Sequence, residues 1–261
     1  MKAARSTHYQ DEYGDIRVES DTRLTSLFFD SSVAQSAWTP HRPEQLSFGY
    51  YRALILPLIL ADAPQNITIL GLGGGALARF LLQFTPHQIT CWDYRPVLAE
   101  IAQNHFDLDL KHPRLELHFG DITQAHWQPQ DSMQDVILVD LFDHQAMVEL
   151  PEPSVAKIIG LLRPGGVLAV NIWRNNLSQV VQLHRKLSQH LDSKALTAHI
   201  PERLNTVMCY RKQAWQFDDL QLAWQRREGQ SAPVRRALEQ AWRWIEPQNP
   251  INPNRVKPSC G

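Results

Sequence analysis

The fold is decided by residues 67–79, which read ITILGLGGGALAR. The first four are apolar or β-branched residues, as in a buried parallel strand. Four glycines come next: Gly71, Gly73, Gly74 and Gly75. Residues 76–84 then read as a helix, because their apolar side chains share one face. Glycine lets a strand bend sharply into a helix N-terminus and lets a ligand approach the backbone, so this stretch predicts a nucleotide site.

An acidic residue ends the next strand-like stretch. Residues 88–93 read QITCWD, and Asp93 follows the glycines by about 20 residues, the spacing at which nucleotide-binding folds place a ribose-binding acid. We therefore interpret Asp93 and the four glycines as cofactor-binding residues. A tight strand-to-helix turn without a ligand is the alternative.

Composition argues against several classes of function. The chain has 261 residues, with 26 basic and 27 acidic side chains, so no bulk charge favours nucleic acid or an anionic membrane as a partner. The apolar run at residues 54–61 contains Pro57 and is too short to span a bilayer. Residues 1–13 are polar and do not resemble a signal peptide.

Cysteine and histidine usage points to a reduced compartment without a metal centre. The three cysteines, Cys91, Cys209 and Cys260, are scattered and form no CxxC motif, which predicts a cytoplasmic protein without disulfides. The eleven histidines show neither HxxxH nor HExxH spacing, so we expect no metal.

The N-terminal region, residues 1–46, predicts a tail followed by a small antiparallel β-sheet. Residues 1–13 read as frayed, and three strands are expected at 15–19, 23–29 and 32–37. A helix at residues 47–60, with a kink at Pro57, would lead into the nucleotide-binding strand.

Residues 47–215 predict an α/β, Rossmann-like catalytic domain. Strands are expected at 67–71, 88–93, 115–119, 134–140, 167–173, 195–200 and 206–211, the last two as a hairpin. Helices are expected at 76–84, 96–105, 153–162 and 177–191. Such alternation builds a doubly wound parallel sheet, whose ligands bind at the carboxyl ends of the strands.

Residues 216–261 form a C-terminal extension that mixes tryptophan with arginine. This mixture could be a nucleic-acid surface, or a helix at 233–245 that packs its Trp, Leu and Ala face on the domain. We expect the helix, because single-strand binding needs a basic groove and the chain is nearly neutral. Residues 247–261 are predicted to be disordered.

Four acids fall at or soon after the predicted ends of strands: Asp93, Asp121, Asp140 and Asp143. A single acid in such a place is commonly a helix cap or a turn residue. Four of them at one edge of a sheet favour a binding site, although for Asp143 the turn role is an equal alternative.

The order of these motifs resembles the polyamine aminopropyltransferases, the spermidine synthase family, which share the class I S-adenosylmethionine-dependent methyltransferase fold. The resemblance covers residues 14–211. It is carried by the glycine turn and by five further motifs: FDSS at 29–32, DYRP at 93–96, GD at 120–121, VDLFD at 139–143 and RPGG at 163–166.

The resemblance implies a role for each motif. Asp93 would hold the ribose of S-adenosylmethionine or its decarboxylated form, and Asp121 with Ile122 would receive the adenine. Asp140 would take a proton from the attacking amine, and Asp143 would help to hold that amine. The implied cleft also includes three other residues: Gln35 and Tyr94 on the cofactor side, and Tyr50 on the substrate side. Partners implied are a small-molecule amine and, since family members are often oligomers, a second copy in a homodimer.

Two departures from the family pattern bear on the substrates. The family turn reads GGGDGG, whereas this chain has GLGGGA, so Gly74 replaces an acid. That acid pairs with the aminopropyl amine of the decarboxylated donor in the family, and its loss removes a repulsion against the carboxylate of intact S-adenosylmethionine. Arg52 likewise replaces a family glutamate, in Tyr50-Tyr51-Arg52.

The sequence therefore leaves three hypotheses. The first is a spermidine synthase-like transferase that moves an aminopropyl group to an amine. The second is a methyltransferase that uses intact S-adenosylmethionine, which Gly74 favours. The third is a non-catalytic relative that keeps the nucleotide-binding fold.

Overall fold

The computed structural model describes residues 5–122, 134–142, 148–174, 177–191, 194–201 and 204–245. The N-terminal sheet has four antiparallel strands in chain order: β1 Arg5–Asp11, β2 Gly14–Ser20, β3 Thr25–Phe29 and β4 Ala34–Trp38. Its apolar side chains, such as Ile16 and Leu27, are buried and belong to the main hydrophobic core. The small β-sheet predicted from sequence is therefore present.

Strand β1 corrects the prediction of a frayed start. Each residue of Arg5–Asp11 pairs with β2, and the Tyr9 hydroxyl lies 2.8 Å from Nε2 of His105 on a later helix. The strand was missed because it is polar and mostly exposed, so it lacks the apolar alternation by which strands are recognised. Residues 1–4 lie outside the described part of the chain.

The larger sheet has seven strands in the order β10-β11-β9-β8-β5-β6-β7. Their bounds are β5 Asn66–Leu70, β6 Gln88–Asp93, β7 Leu115–Phe119, β8 Gln134–Val139, β9 Leu162–Trp173, β10 Leu196–His199 and β11 Asn205–Arg211. Strands β5 to β9 run parallel, whereas β10 and β11 form an antiparallel hairpin that also pairs antiparallel with β9. The predicted doubly wound α/β fold is confirmed.

Helices cover both faces of this sheet and enclose two buried apolar clusters. They are α1 Gly49–Leu54, α2 Pro57–Leu60, α3 Ala76–Phe84, α4 Val97–Phe106, α5 Glu152–Leu161, α6 Leu177–His190, α7 Phe217–Arg226 and α8 Ala232–Trp242. The helix expected at 47–60 is divided into α1 and α2, because Pro57 begins the second. Among the described residues, we find no helix long and apolar enough to span a membrane.

Two further elements differ from the prediction. Residues 163–166, expected to be a stop signal between a helix and a strand, lie inside β9, which begins at Leu162 with irregular pairing and a left-handed Gly165. Helix α7, which packs against α2, was not predicted from the sequence.

The C-terminal extension packs on the rest of the chain through α8. Its Val234, Ala237, Leu238, Ala241 and Trp242 are buried, and α8 contacts α1. The expected packed helix is therefore present in this segment, somewhat shorter than residues 233–245. Residues 247–261 lie outside the described part of the chain.

Candidate active site

A cavity of about 520 Å³ opens at the carboxyl ends of β5, β6, β7 and β8, where a doubly wound sheet binds its ligands. The N-terminal sheet and α1 form its other walls. Nine of the residues predicted from sequence line it: Gln35, Tyr50, Gly71, Gly73, Asp93, Tyr94, Asp121, Ile122 and Asp140. Residues far apart in the chain are therefore brought together, although their roles remain predictions.

The glycine turn brings the ends of β5 and β8 together. Gly71 has a φ of 102°, and a Cβ at this position would overlap the main-chain oxygen of Asp140. Gly73 also has positive φ, and a Cβ at this position would lie 3.8 Å from Cβ of Ser36 on β4. Position 71 requires a residue without a side chain, the φ of Gly73 favours glycine, and both residues leave the backbone open toward the cavity.

Gly74 and Gly75 are not among the residues that line the cavity. A Cβ at Gly74 would lie 2.6–2.8 Å from the ring of Phe106, and one at Gly75 would lie 3.0 Å from Ala102 and Leu108. The side-chain direction at position 74 therefore points toward the end of α4. This geometry means that the family's acid could not be restored here without moving Phe106.

Asp93 is held by the backbone around it. Its carboxylate accepts hydrogen bonds from the main-chain N–H groups of Leu72, at 2.7 Å, and Arg95, at 3.1 Å. Burial raises the pKa of Asp93, while hydrogen bonds from the N–H groups of Arg95, Leu72, Gly73 and Tyr94 act in the opposite direction. Asp93 thus joins the glycine turn to the loop after β6.

Asp121 and Ile122 follow β7 at one end of the cavity, and Gln35 lies on β4. Tyr94 makes an edge-to-face contact with Tyr13, whose ring centroid is 4.6 Å away. Tyr13 comes from the turn between β1 and β2, so the N-terminal sheet contributes to the same wall as the loop after β6.

Asp140 is a partly buried acid of the cavity wall, and its carboxylate is hydrogen-bonded. Oδ1 accepts a hydrogen bond from Nδ2 of Asn171 at 2.8 Å, and Tyr50 also hydrogen-bonds to the carboxylate. Burial raises the pKa of Asp140 to about 6, against the effect of these two bonds. A carboxyl group with this pKa is mostly ionised at pH 7 and can accept a proton.

Two tyrosines of α1 border this acid. Tyr50 and Tyr51 are hydrogen-bonded to each other, and the Tyr51 hydroxyl lies 3.3 Å from Oγ of Ser36. Burial raises the pKa of both tyrosines, so they are neutral donors at pH 7. Among the residues that the structure describes, the carboxylate of Asp140 faces neutral polar groups rather than a cation.

Two predicted features lie elsewhere. Asp143, expected to hold the amine, falls outside the described residues. Arg52 is not part of the cavity wall, because its guanidinium donates a hydrogen bond to the Leu46 carbonyl at 2.9 Å. Arg52 therefore gives no argument against a cationic acceptor.

Several residues of the wall were not predicted from the sequence: Tyr13, Phe29, Tyr51, Trp92, Arg95 and Phe142. Most are aromatic, and an aromatic residue in a predicted strand or turn reads as core. Asn171 could have been found, since it is the one polar residue within the apolar run VLAVNIW at 167–173. In the described part of the chain, no group of three or more metal-binding side chains occurs.

Comparison with known proteins agrees with this geometry. A methyltransferase domain family matches residues 67–166. The polyamine aminopropyltransferase of Neisseria meningitidis serogroup A is 29% identical over 180 residues, which cover 67% of this chain and 68% of that protein. The chain is similar in sequence to polyamine aminopropyltransferases.

Solved structures place this chain in the class I methyltransferase fold. A probable spermidine synthase from Corynebacterium glutamicum has a TM-score of 0.68 and 19% identity, covering 91% of this chain and 95% of its own. Human methyltransferase-like protein 13, solved with SAH, has a TM-score of 0.58 and 20% identity, covering 75% and 93%. The resemblance stated from the sequence is confirmed, and the relatives are transferases.

Proposed function

We propose that this protein transfers an aminopropyl group from decarboxylated S-adenosylmethionine to a small amine. The observation that carries the proposal is the position of Asp140, a partly buried carboxylate in the cavity wall, beside the glycine turn and Tyr50. The relative from Neisseria, a polyamine aminopropyltransferase by name, supports the same reaction.

The proposed donor site lies along the glycine turn. Asp93 would accept the ribose hydroxyls, while Asp121 and Ile122 would border the adenine. Gly71 and Gly73 leave the backbone open there, since no side chain separates it from the cavity. Tyr94 and Gln35 would complete the donor's contacts.

The proposed reaction needs one base. Asp140 takes a proton from the acceptor ammonium, and the freed lone pair attacks the carbon next to the donor's sulfonium. A C–N bond forms, the C–S bond breaks, and its electrons leave with sulfur as neutral methylthioadenosine. Holding both reactants in one cavity makes this step effectively intramolecular, which accounts for a large part of the rate.

A methyltransferase that uses intact S-adenosylmethionine is the second candidate. The matching methyltransferase domain family supports it, and so does Gly74, where the aminopropyltransferase pattern has an acid. Asp140 would again act as base or orient the acceptor, so the two candidates differ in the donor rather than in the site.

Product analysis separates the candidates. The purified protein should be incubated with putrescine and each donor in turn, and the nucleoside product identified by mass spectrometry. We expect methylthioadenosine from the decarboxylated donor, and a large loss of that product in Asp140→Asn with donor binding retained. Adenosylhomocysteine from the intact donor would establish the methyltransferase instead. Donor binding without either product would leave the non-catalytic hypothesis.

A further inference from the structure

Asn171 is a polar residue in the interior of a buried strand. It is 1% exposed and lies between the apolar Val170 and Ile172 of β9. Burying a side-chain amide is unfavourable unless its donors and acceptor find partners. The partners that Asn171 finds lead directly to Asp140.

The amide of Asn171 bridges two side chains. Its Nδ2 donates to Oδ1 of Asp140 at 2.8 Å, and its Oδ1 accepts from Nδ2 of Asn205 at 3.1 Å. An asparagine amide has nearly the same shape in either orientation, so its neighbours decide which end faces which. The ionised carboxylate of Asp140 can only accept, so the NH2 group of Asn171 faces it, and the NH2 group of Asn205 then satisfies the Asn171 oxygen.

The sheet topology makes this arrangement. Val139 of β8 pairs with Val170 of β9, so Asp140 and Asn171 are the next positions along two parallel strands. Strand β11 runs in the opposite direction and pairs Val207 with Asn171, which places Asn205 diagonally beside it. Because β11 is antiparallel to β9, its first residue, Asn205, lies at the carboxyl end of the parallel strands.

We propose that Asn171 and Asn205 are positioning residues that hold the Asp140 carboxylate in place and favour its ionised form. The proposal rests on the proposed function only in taking Asp140 to be the base. The hydrogen bond from Asn171 holds Oδ1 of Asp140 and so restricts rotation of the carboxylate, which lines the cavity.

The opposite orientation would have the opposite effect. A reversed Asn171 would direct its oxygen at the carboxylate, which disfavours the charged form of Asp140. The titratable groups that border Asp140 within the described residues are Tyr50 and Tyr51, and both are neutral donors or acceptors at pH 7. Neither supplies a positive charge that could replace the Asn171 hydrogen bond.

The test is a direct titration of Asp140. Protein labelled with 13C at the aspartate carboxyl carbons is titrated by NMR, and the Asp140 signal is assigned by its absence in Asp140→Asn. We expect a wild-type midpoint near pH 6. In Asn171→Ala the midpoint should rise by about one pH unit, a tenfold gain in proton affinity. In Asn205→Ala it should rise by less, because Asn171 remains but can reverse.

Thr206→Val is the matched control. It removes a hydrogen bond of similar kind, between Thr206 and His199, on the same strand and next to Asn205. Its Asp140 midpoint should equal that of the wild type. If the midpoint in Asn171→Ala is also unchanged, the proposal is wrong.

The titration also gives a clear result if a variant does not fold or if the protein has no transferase activity. Should Asn171→Ala not fold, Asn205→Ala at the partly exposed start of β11 carries the test, and an unchanged midpoint there rejects the proposal for both residues. The titration needs no substrate, so a protein without transferase activity could still show the shift; in that case the proposed function fails and the positioning role stands. Where activity is present, Asn171→Ala should lower kcat at pH 6–7 and leave the donor Kd unchanged.

Discussion

Arg95 and Asp11 are joined by two hydrogen bonds, of 2.9 and 2.6 Å, between the loop after β6 and the end of β1. The same guanidinium donates to the Gly14 carbonyl at 2.9 Å, and the Arg95 main-chain N–H holds the Asp93 carboxylate. One residue therefore fastens the β1–β2 turn, which carries Tyr13, to the acid proposed to bind ribose.

Asp11→Asn should destabilise the protein and weaken donor binding. The side chain of Arg95 is only 3% exposed, so loss of its carboxylate partner leaves a buried charge uncompensated. We expect the free energy of unfolding to fall by about 3 kcal/mol, measured by urea denaturation. The donor Kd should rise because Tyr13 loses its fixed position.

Glu19→Gln in the same sheet is the control for this prediction. It breaks the ion pair between Arg17 and Glu19, whose charged atoms are 2.6 Å apart and whose side chains are both partly exposed. We expect a change of less than about 0.5 kcal/mol, since exposed pairs contribute little. Equal losses in the two variants would show that Arg95 has no special role.

Gly71→Ala should disturb Asp140, the proposed base, and the proposed donor site together. Its φ of 102° is unfavourable for alanine, and the new methyl group would overlap the main-chain oxygen of Asp140. We expect a loss of about 2–3 kcal/mol in unfolding free energy and weaker donor binding by calorimetry. Gly160→Ala in α5, with no atom within 4 Å, should instead be neutral or stabilising by up to about 1 kcal/mol. Unimpaired binding in Gly71→Ala would contradict the geometry.

Gly74→Ala should be destabilising through Phe106. The added methyl group would lie 2.6–2.8 Å from a ring that is fully buried, so the ring must move. Phe106→Leu creates space at that place, and the double variant should be more stable than the sum of the single effects by about 1 kcal/mol. Additive effects in thermal or urea unfolding would mean that the two positions do not interact.

The pH dependence of stability should reveal Asp140. Its folded pKa of about 6 lies above the ordinary value of 3.8, so the folded state binds the proton more tightly. Binding of this proton therefore stabilises the folded state by about 2–3 kcal/mol below about pH 4, and this stabilisation is lost as the pH rises through 6. Asp140→Asn should therefore be more stable than the wild type at pH 8, with a smaller difference at pH 4. A constant difference across this range would mean that Asp140 titrates normally.

Local patterns in the sequence predicted most elements of the sheet and many of the residues that line the cavity. Helix α3 and strand β6 occur at their predicted bounds, because a glycine turn, an apolar face and a terminal acid are all local signals. Asp93 and Gly71 could be predicted for the same reason, since Asp93 is the last residue of its strand and Gly71 directly follows its own.

The missed features depend on contacts between distant segments. Strand β1 is stabilised by pairing and by Arg95 rather than by apolar alternation. A side chain at position 74 would meet the ring of Phe106 at the end of α4. No sequence motif indicates that these two residues are neighbours. Asn205 meets Asn171 only through the register of an antiparallel strand, so its relation to Asp140 required the fold.

The contact at Gly49 has a consequence for how this protein can vary among its relatives. A Cβ at Gly49 would lie 2.9 Å from Ile200 and 3.6 Å from the Trp244 ring, at the first residue of the helix that carries Tyr50. A larger residue at 49 is compatible with the same helix position only if the residues facing it become smaller. We therefore expect positions 49, 200 and 244 to covary in homologues, and an exchange of C-terminal segments between relatives to need a matching change at 49.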